Sequence, residues 1–182
     1  DDAVEAGKVA EILECHGKID GLVNNAGGQF PARLEDISQN GWNAVVATNL
    51  TGGFLVSREV YKQWMKGNGG SIVNIIADMW RSMVEMGHSG AARAGMLSFT
   101  ETAAVEWGPD GVRVNAVAPG WIASSGFDSY EDPETRKRFN NMHNFVPLKR
   151  IGNEAEISAA ITFLLSPAAG FITGSCIRVD GG

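Results

Sequence analysis

The sequence predicts a doubly wound α/β fold built on a parallel sheet. Short apolar runs alternate with helical stretches of ten residues or more, and such spacing requires crossover connections and hence parallel pairing. Glycine is frequent, 23 of 182 residues, without proline-rich or repeat character, which marks tight turns and close backbone approaches. With 44% hydrophobic residues, a chain of this length can bury a core and suits one domain.

Residues 3–15 place Val4, Val9, Ile12 and Leu13 at near-helical spacing, and Gly17 stops that helix. Ile19 to Val23 is a strand running into the turn NNAGG. Residues 40–65 form a long, largely apolar helix, broken by GNGG at 67–70. Ser71 to Ile76 is a buried strand, 89–107 a helix ended by Gly108 and Pro109, and 112–118 a third strand stopped by Pro119-Gly120. Residues 124–145 read as a polar, mixed insert, 154–165 as a helix and 175–179 as a last strand. Doubly wound sheets bind ligands at the carboxyl ends of their strands. There the sequence puts NNAGG, IIADMW and APGWIASS, its glycines, amides and small polar side chains.

A net charge of -6 argues against a sequence-independent grip on nucleic acid, which needs a basic face. No apolar run approaches a membrane span, and the first residues have neither the positive start nor the apolar stretch of a signal peptide. Cys15 and Cys176 lie far apart with no histidine at ligand spacing. No metal site or disulfide framework is expected, the two thiols are expected to be small buried filler, and a reducing, cytoplasmic setting fits them.

Five blocks stand in order along the chain. They are Leu22-Val23-Asn24-Asn25-Ala26-Gly27, TNLTG around Asn49, SIVNII at 71–76, NAVAPGWI at 115–122, and the segment from PLKRIG to VDGG at 147–182. Together they resemble the short-chain dehydrogenase/reductase family, whose fold is a Rossmann-like doubly wound sheet. The resemblance covers essentially the whole chain. GGQFPA, NLTGGF, WMKGNGGSIVNII, HSGAARAG and SPAAGFITG are closer still to the peroxisomal trans-2-enoyl-CoA reductases and their 2,4-dienoyl-CoA reductase relatives. A dinucleotide fold should open with a strand, a glycine-rich turn and a helix, and nothing before Asn24 fits. At about 30 residues per βαβ unit, the expectation is an incomplete fold lacking its first strand–helix units, with residues 1–182 a partial domain and 124–145 a substrate lid.

The resemblance implies a nicotinamide cofactor. NADP is implied by the subgroup, with NAD left open because the residues that read the adenosine 2′ position fall outside the chain. It also implies an acyl-CoA substrate, and a dimer or tetramer paired through 40–65 and 89–107; a peroxisomal location stays open. Asn25, Ala26 and Gly27 would let a ribose or adenine lie on the backbone, or form a plain turn. Pro119, Gly120, Ile122 and Ser124 would meet the nicotinamide.

Of the family's four catalytic residues only Asn49 remains. Counting back from Glu106-Trp107, the tyrosine position is Ser89 and the lysine position Arg93, and the serine falls near Ala77. Tyr61 is expected to pack away from the site, and Tyr130 in the insert is a solvated tyrosine or a substrate contact. Hydride added to an enoyl thioester pushes charge onto the thioester oxygen, which needs hydrogen-bond donors and not a strong acid. Ser89 offers a hydroxyl and Arg93 a permanent charge that could also hold the ribose hydroxyls. The competing reading makes Ser89 a helix cap and Arg93 a solvated residue. His88 is an acid or a local hydrogen-bonder, Asp78 a proton donor, a cap or a surface residue, and Asn49 a kink-former or water anchor, or a polar residue tolerated by chance in a helix it does not favour. Phe127, Tyr130, Phe139, Met142 and Phe145 line an acyl channel or form the lid's own core. Three activities compete: NADPH-dependent enoyl-CoA reduction, oxidoreduction of an alcohol or ketone, and a degenerate binding or scaffold role.

Overall fold

The computed structural model describes residues 2–124 and 141–182. Phe127, Tyr130 and Phe139 of the expected lid lie outside the described residues. Helix α1 (Asp2–His16) closes at Gly17, whose left-handed φ of 73° and N–H bond to the Leu13 carbonyl end the helix as glycine does. Strand β1 (Gly21–Asn24) follows. It starts two residues later than the apolar run, although the Asp20 carbonyl already accepts from the Ser71 N–H at 3.2 Å and Ile19 packs against the core.

The expected long helix is real but not uniform. It runs as α2 (Gln39–Val46), a π-helical segment Ala47–Thr51, α3 (Gly52–Val60), a second π segment Tyr61–Met65, and α4 (Lys66–Asn68). Ser38 caps its start by accepting from the Gly41 N–H, and Gly69 at φ 71° ends it. Then come β2 (Gly70–Ile75), α5 (Gly87–Trp107), β3 (Val112–Pro119), the short β4 (Ile122–Ala123) and β5 (Gly152–Asn153), α6 (Glu154–Leu165) and β6 (Cys176–Val179). Asn153 and Glu156 cap α6 reciprocally, each side chain bonding the other's backbone N–H.

The main sheet has the order β1-β2-β3-β6, every pair parallel. Alternation sorts its residues between two faces. Ile72, Val112 and Val114 pack with Val60, Met65, Ala103 and Trp107 beneath α3 and α5, while Val73, Ile75 and Val117 meet Leu164 of α6 and Ala169 just after it. Helices on both faces of a parallel sheet match the predicted class. A parallel β4–β5 pair of two residues each was not foreseen; it is too short to leave a pattern. Cys15 corrects an expectation, since it sits exposed on the outer side of α1. Cys176 is partly buried, and that burial pushes its thiol up to about 11. Among the described residues no helix is long and apolar enough to cross a membrane.

Candidate active site

Because the strands are parallel and in register, the turn after Asn24 and the one at Pro119-Gly120 open on the same edge of the sheet. Asn25, Ala26 and Gly27 are exposed there. Gly27 is required by what stands against it: a Cβ would lie 2.3 Å from Arg93 Nη2 and 3.1 Å from Asn49 Oδ1. These distances also show that Arg93 and Asn49 share one space.

Asn49 is 2% exposed and lies inside the first π segment. A π-bulge widens the helix locally and is common where a side chain serves a site. Its Oδ1 accepts from the Gly28 N–H at 2.9 Å, and its Nδ2 donates to the Gly28 carbonyl at 3.0 Å and toward Ser89 Oγ at 3.3 Å. Asn49 thus clamps the glycine turn to the first turn of α5.

Ser89 is fully buried inside α5, so it is not the helix cap. Its hydroxyl donates to Gln29 Oε1 at 2.6 Å. His88, also fully buried, accepts the Ser89 N–H on Nδ1 at 2.9 Å and meets the Phe30 ring edge-on at 4.6 Å. Its Nε2 is buried without a hydrogen-bond partner. Arg93 is not a solvated residue. Nη1 donates to the Ile75 carbonyl at the end of β2 at 2.5 Å, Nε is buried without a partner, and desolvation pulls the guanidinium below its ordinary pKa. It stays a cation, since arginine does not deprotonate in proteins.

The second group sits one strand away. The Pro119 carbonyl accepts from the Asp78 N–H at 3.0 Å, tying the end of β3 to the loop after β2. Gly120 has no room for a side chain: a Cβ would lie 2.6 Å from Asp180 Cα. Ile122 is held in β4 beside Gly152, and Ser124 is exposed. Asp78 forms an ion pair with Arg178 at 3.3 Å, and Arg178 stacks 4.9 Å from the Trp80 ring centroid. Of the insert's described residues, Phe145 is 75% exposed and does not contribute to a core.

Tyr61 lies at the other end of the sheet, where it hydrogen-bonds Asp110 just before β3 and stacks on Trp107 at 4.4 Å. The Asp110 bond, with burial, raises its phenol to about 12. Gln29 is the residue that sequence reasoning missed. Its signals were its place in GGQFPA and an amide at the end of a turn of small residues, and neither gives a direction for a side chain.

The family model described as Enoyl-(Acyl carrier protein) reductase matches residues 1–182. The chain is 40% identical to a probable 2,4-dienoyl-CoA reductase of Bacillus subtilis, over 100% of this chain and 72% of the relative. It is 41% identical to a peroxisomal 2,4-dienoyl-CoA reductase of Danio rerio, over 96% of this chain and 58% of the relative. Among solved structures, a citronellol catabolism dehydrogenase of Pseudomonas aeruginosa is 56% identical with a TM-score of 0.86, over 100% of this chain and 69% of that one. A putative short-chain alcohol dehydrogenase of Sinorhizobium meliloti is 33% identical with a TM-score of 0.91, over 100% and 72%. The chain thus spans between 58% and 72% of the length of these proteins.

Proposed function

Because the chain belongs to the short-chain dehydrogenase/reductase family, we propose that the protein containing it reduces the 2,3 double bond of enoyl-CoA thioesters with NADPH. The observation that carries this is the replacement of a phenol by hydrogen-bond donors. At the open edge of the sheet stand Asn49, Ser89 and Arg93, and the one tyrosine among the described residues is bonded to Asp110 at the far end.

The residues present fit a dinucleotide. Arg93 Nε is a buried donor with no acceptor, and Gly27, in the exposed turn with Asn25 and Ala26, lies against the same guanidinium. These four residues would hold a ribose and its hydroxyls, and Pro119, Gly120, Ile122 and Ser124 would hold the nicotinamide end. A reduced nicotinamide, when bound, supplies the hydride. What the chain itself supplies is a series of hydrogen bonds through Asn49 and Ser89 that ends in a donor for the negative charge developing on the thioester oxygen, with Arg93 adding a permanent positive charge. The carbon next to the thioester then takes its proton from a weak donor or a water, so no low-pKa acid is required. NADPH over NADH follows the subgroup resemblance.

The relatives' names support an acyl-CoA substrate. Exposed Phe54 on α3 and Val105 on α5 support pairing of copies through those helices, as a dimer or tetramer. A cytoplasmic location is proposed, with the peroxisome as the alternative for a eukaryotic source. The name of the Pseudomonas structure favours a second reading, oxidoreduction of an alcohol or ketone. The test is nicotinamide oxidation by the gene product that contains these residues, against a panel of 2-enoyl-CoA, 2,4-dienoyl-CoA and ketone acceptors. Turnover confined to ketones refutes the proposal, and cofactor binding without any turnover points to a degenerate member.

A further inference from the structure

We infer that the side-chain amide of Gln29, and not the hydroxyl of Ser89, is the donor this site presents to the substrate's carbonyl oxygen. The inference rests on the acyl-thioester reading above and adds to it the group that makes the contact. It follows from the direction of the hydrogen bonds that join Gly28, Asn49, Ser89 and Gln29. The backbone N–H of Gly28 can only donate and its carbonyl can only accept. Both face the Asn49 amide, at 2.9 Å from Oδ1 and 3.0 Å from Nδ2, so the orientation of that amide is doubly determined. Asn49 Nδ2 then has one hydrogen for Gly28 and one for Ser89 Oγ.

Ser89 has a single proton. With its oxygen accepting from Asn49, that proton is free to go outward, and it goes to Gln29 Oε1 at 2.6 Å, a normal length for an O–H···O bond. The Gln29 amide is therefore turned with its oxygen inward and its NH₂ at the open end of the chain. Gln29 is exposed on the turn that follows Gly27 and Gly28, beside the buried Asn49 and Ser89. Each bond in such a series polarises the next, which strengthens the terminal N–H as a donor. With Gln29 turned the other way, Ser89 Oγ would accept from both amides and would itself be the donor to substrate. The two arrangements make opposite predictions.

The experiment compares Gln29→Glu, Gln29→Ala and Ser89→Ala in the gene product that contains this chain. Gln29→Glu keeps an acceptor for Ser89 but removes the N–H. The expected result is a loss of kcat on the order of 10²–10³-fold in both Gln29 variants, with coenzyme affinity unchanged, and a smaller loss in Ser89→Ala. A near-normal Gln29→Glu beside a crippled Ser89→Ala overturns the inference. An independent readout is the infrared stretch of a ¹³C-labelled thioester carbonyl in bound butanoyl-CoA. It should lie below the free-solution frequency in the unaltered protein and return toward it in Gln29→Glu; an unchanged band overturns the inference as well. If only ketones are turned over, the enoyl-CoA reading falls, and the same order of variants on the ketone keeps Gln29 as the donor. If neither acyl-CoA binding nor turnover is found, both fall.

Discussion

Replacing Gly27 by alanine tests the arrangement that brings Arg93 into the site. Gly27 does not adopt a left-handed backbone, so alanine meets no conformational strain there. Its Cβ would lie 2.3 Å from Arg93 Nη2 and 3.3 Å from Arg93 Cζ. The end of a flexible side chain can usually yield, but this one is tethered: Nη1 bonds the Ile75 carbonyl at 2.5 Å and Nε is buried. Moving it weakens a charged hydrogen bond, and leaving it produces overpacking. Either route costs about 1–3 kcal/mol. In an Arg93→Lys background the colliding atoms are gone. The same substitution then meets only Asn49 Oδ1 at 3.1 Å, and the reduced entropy of the unfolded chain, about 0.4–1 kcal/mol, offsets that contact, so it should be near neutral. The coupling between the two positions is therefore expected to be roughly 2 kcal/mol, measured as a double-mutant cycle in urea denaturation with unchanged slopes. Costs for Gly27→Ala that agree within about 0.5 kcal/mol in both backgrounds would refute the packing of Arg93 against this turn.

Arg93→Met should weaken nicotinamide coenzyme binding on the order of 10- to 100-fold, as loss of a charged hydrogen-bond donor predicts, measured by coenzyme fluorescence. Asn74→Leu removes the acceptor of the Asn24 amide at 2.7 Å and the donor to Thr100 Oγ1 at 2.9 Å. Leaving these buried groups short of partners should lower the unfolding free energy by about 1–3 kcal/mol in chemical denaturation. Tyr61 tests a pH dependence. Its folded phenol titrates near 12 against an ordinary 10, so its contribution to stability is complete below pH 10 and is lost as pH rises through 12. The phenolate absorbance difference between the unaltered protein and Tyr61→Phe should appear near 12 and move toward 10 in Asp110→Asn.

Much of this fold was legible because backbone geometry imposes periods on a sequence. The strand SIVNII and the strand VRVNAVA were found nearly to the residue, since both are buried on two faces and read as apolar runs. Gly17 stopped α1 where predicted, for the reason predicted. The errors fall where no period exists. The π segments at 47–51 and 61–65 arise from hydrogen-bond shifts that leave the apolar pattern intact, and Asn49, a poor helix former, was the sole trace of the first. Cys15 was misjudged because residue type alone does not say which side of a helix faces the core.

By itself the sequence determined the class of fold, the order of its elements, and the edge of the sheet at which the glycine turns open. Those follow from chain-local rules: side-chain period, glycine's freedom, and the parallel sense that helical crossovers impose. Only the tertiary structure decided that Arg93 turns inward against Gly27, that Ser89 is buried within its helix and not a cap, and that its proton points at Gln29. A hydrogen bond's direction depends on which donors and acceptors from distant segments arrive within about 3 Å. Gly28, Asn49 and Ser89 are brought to that distance by packing, not by their neighbours in the chain.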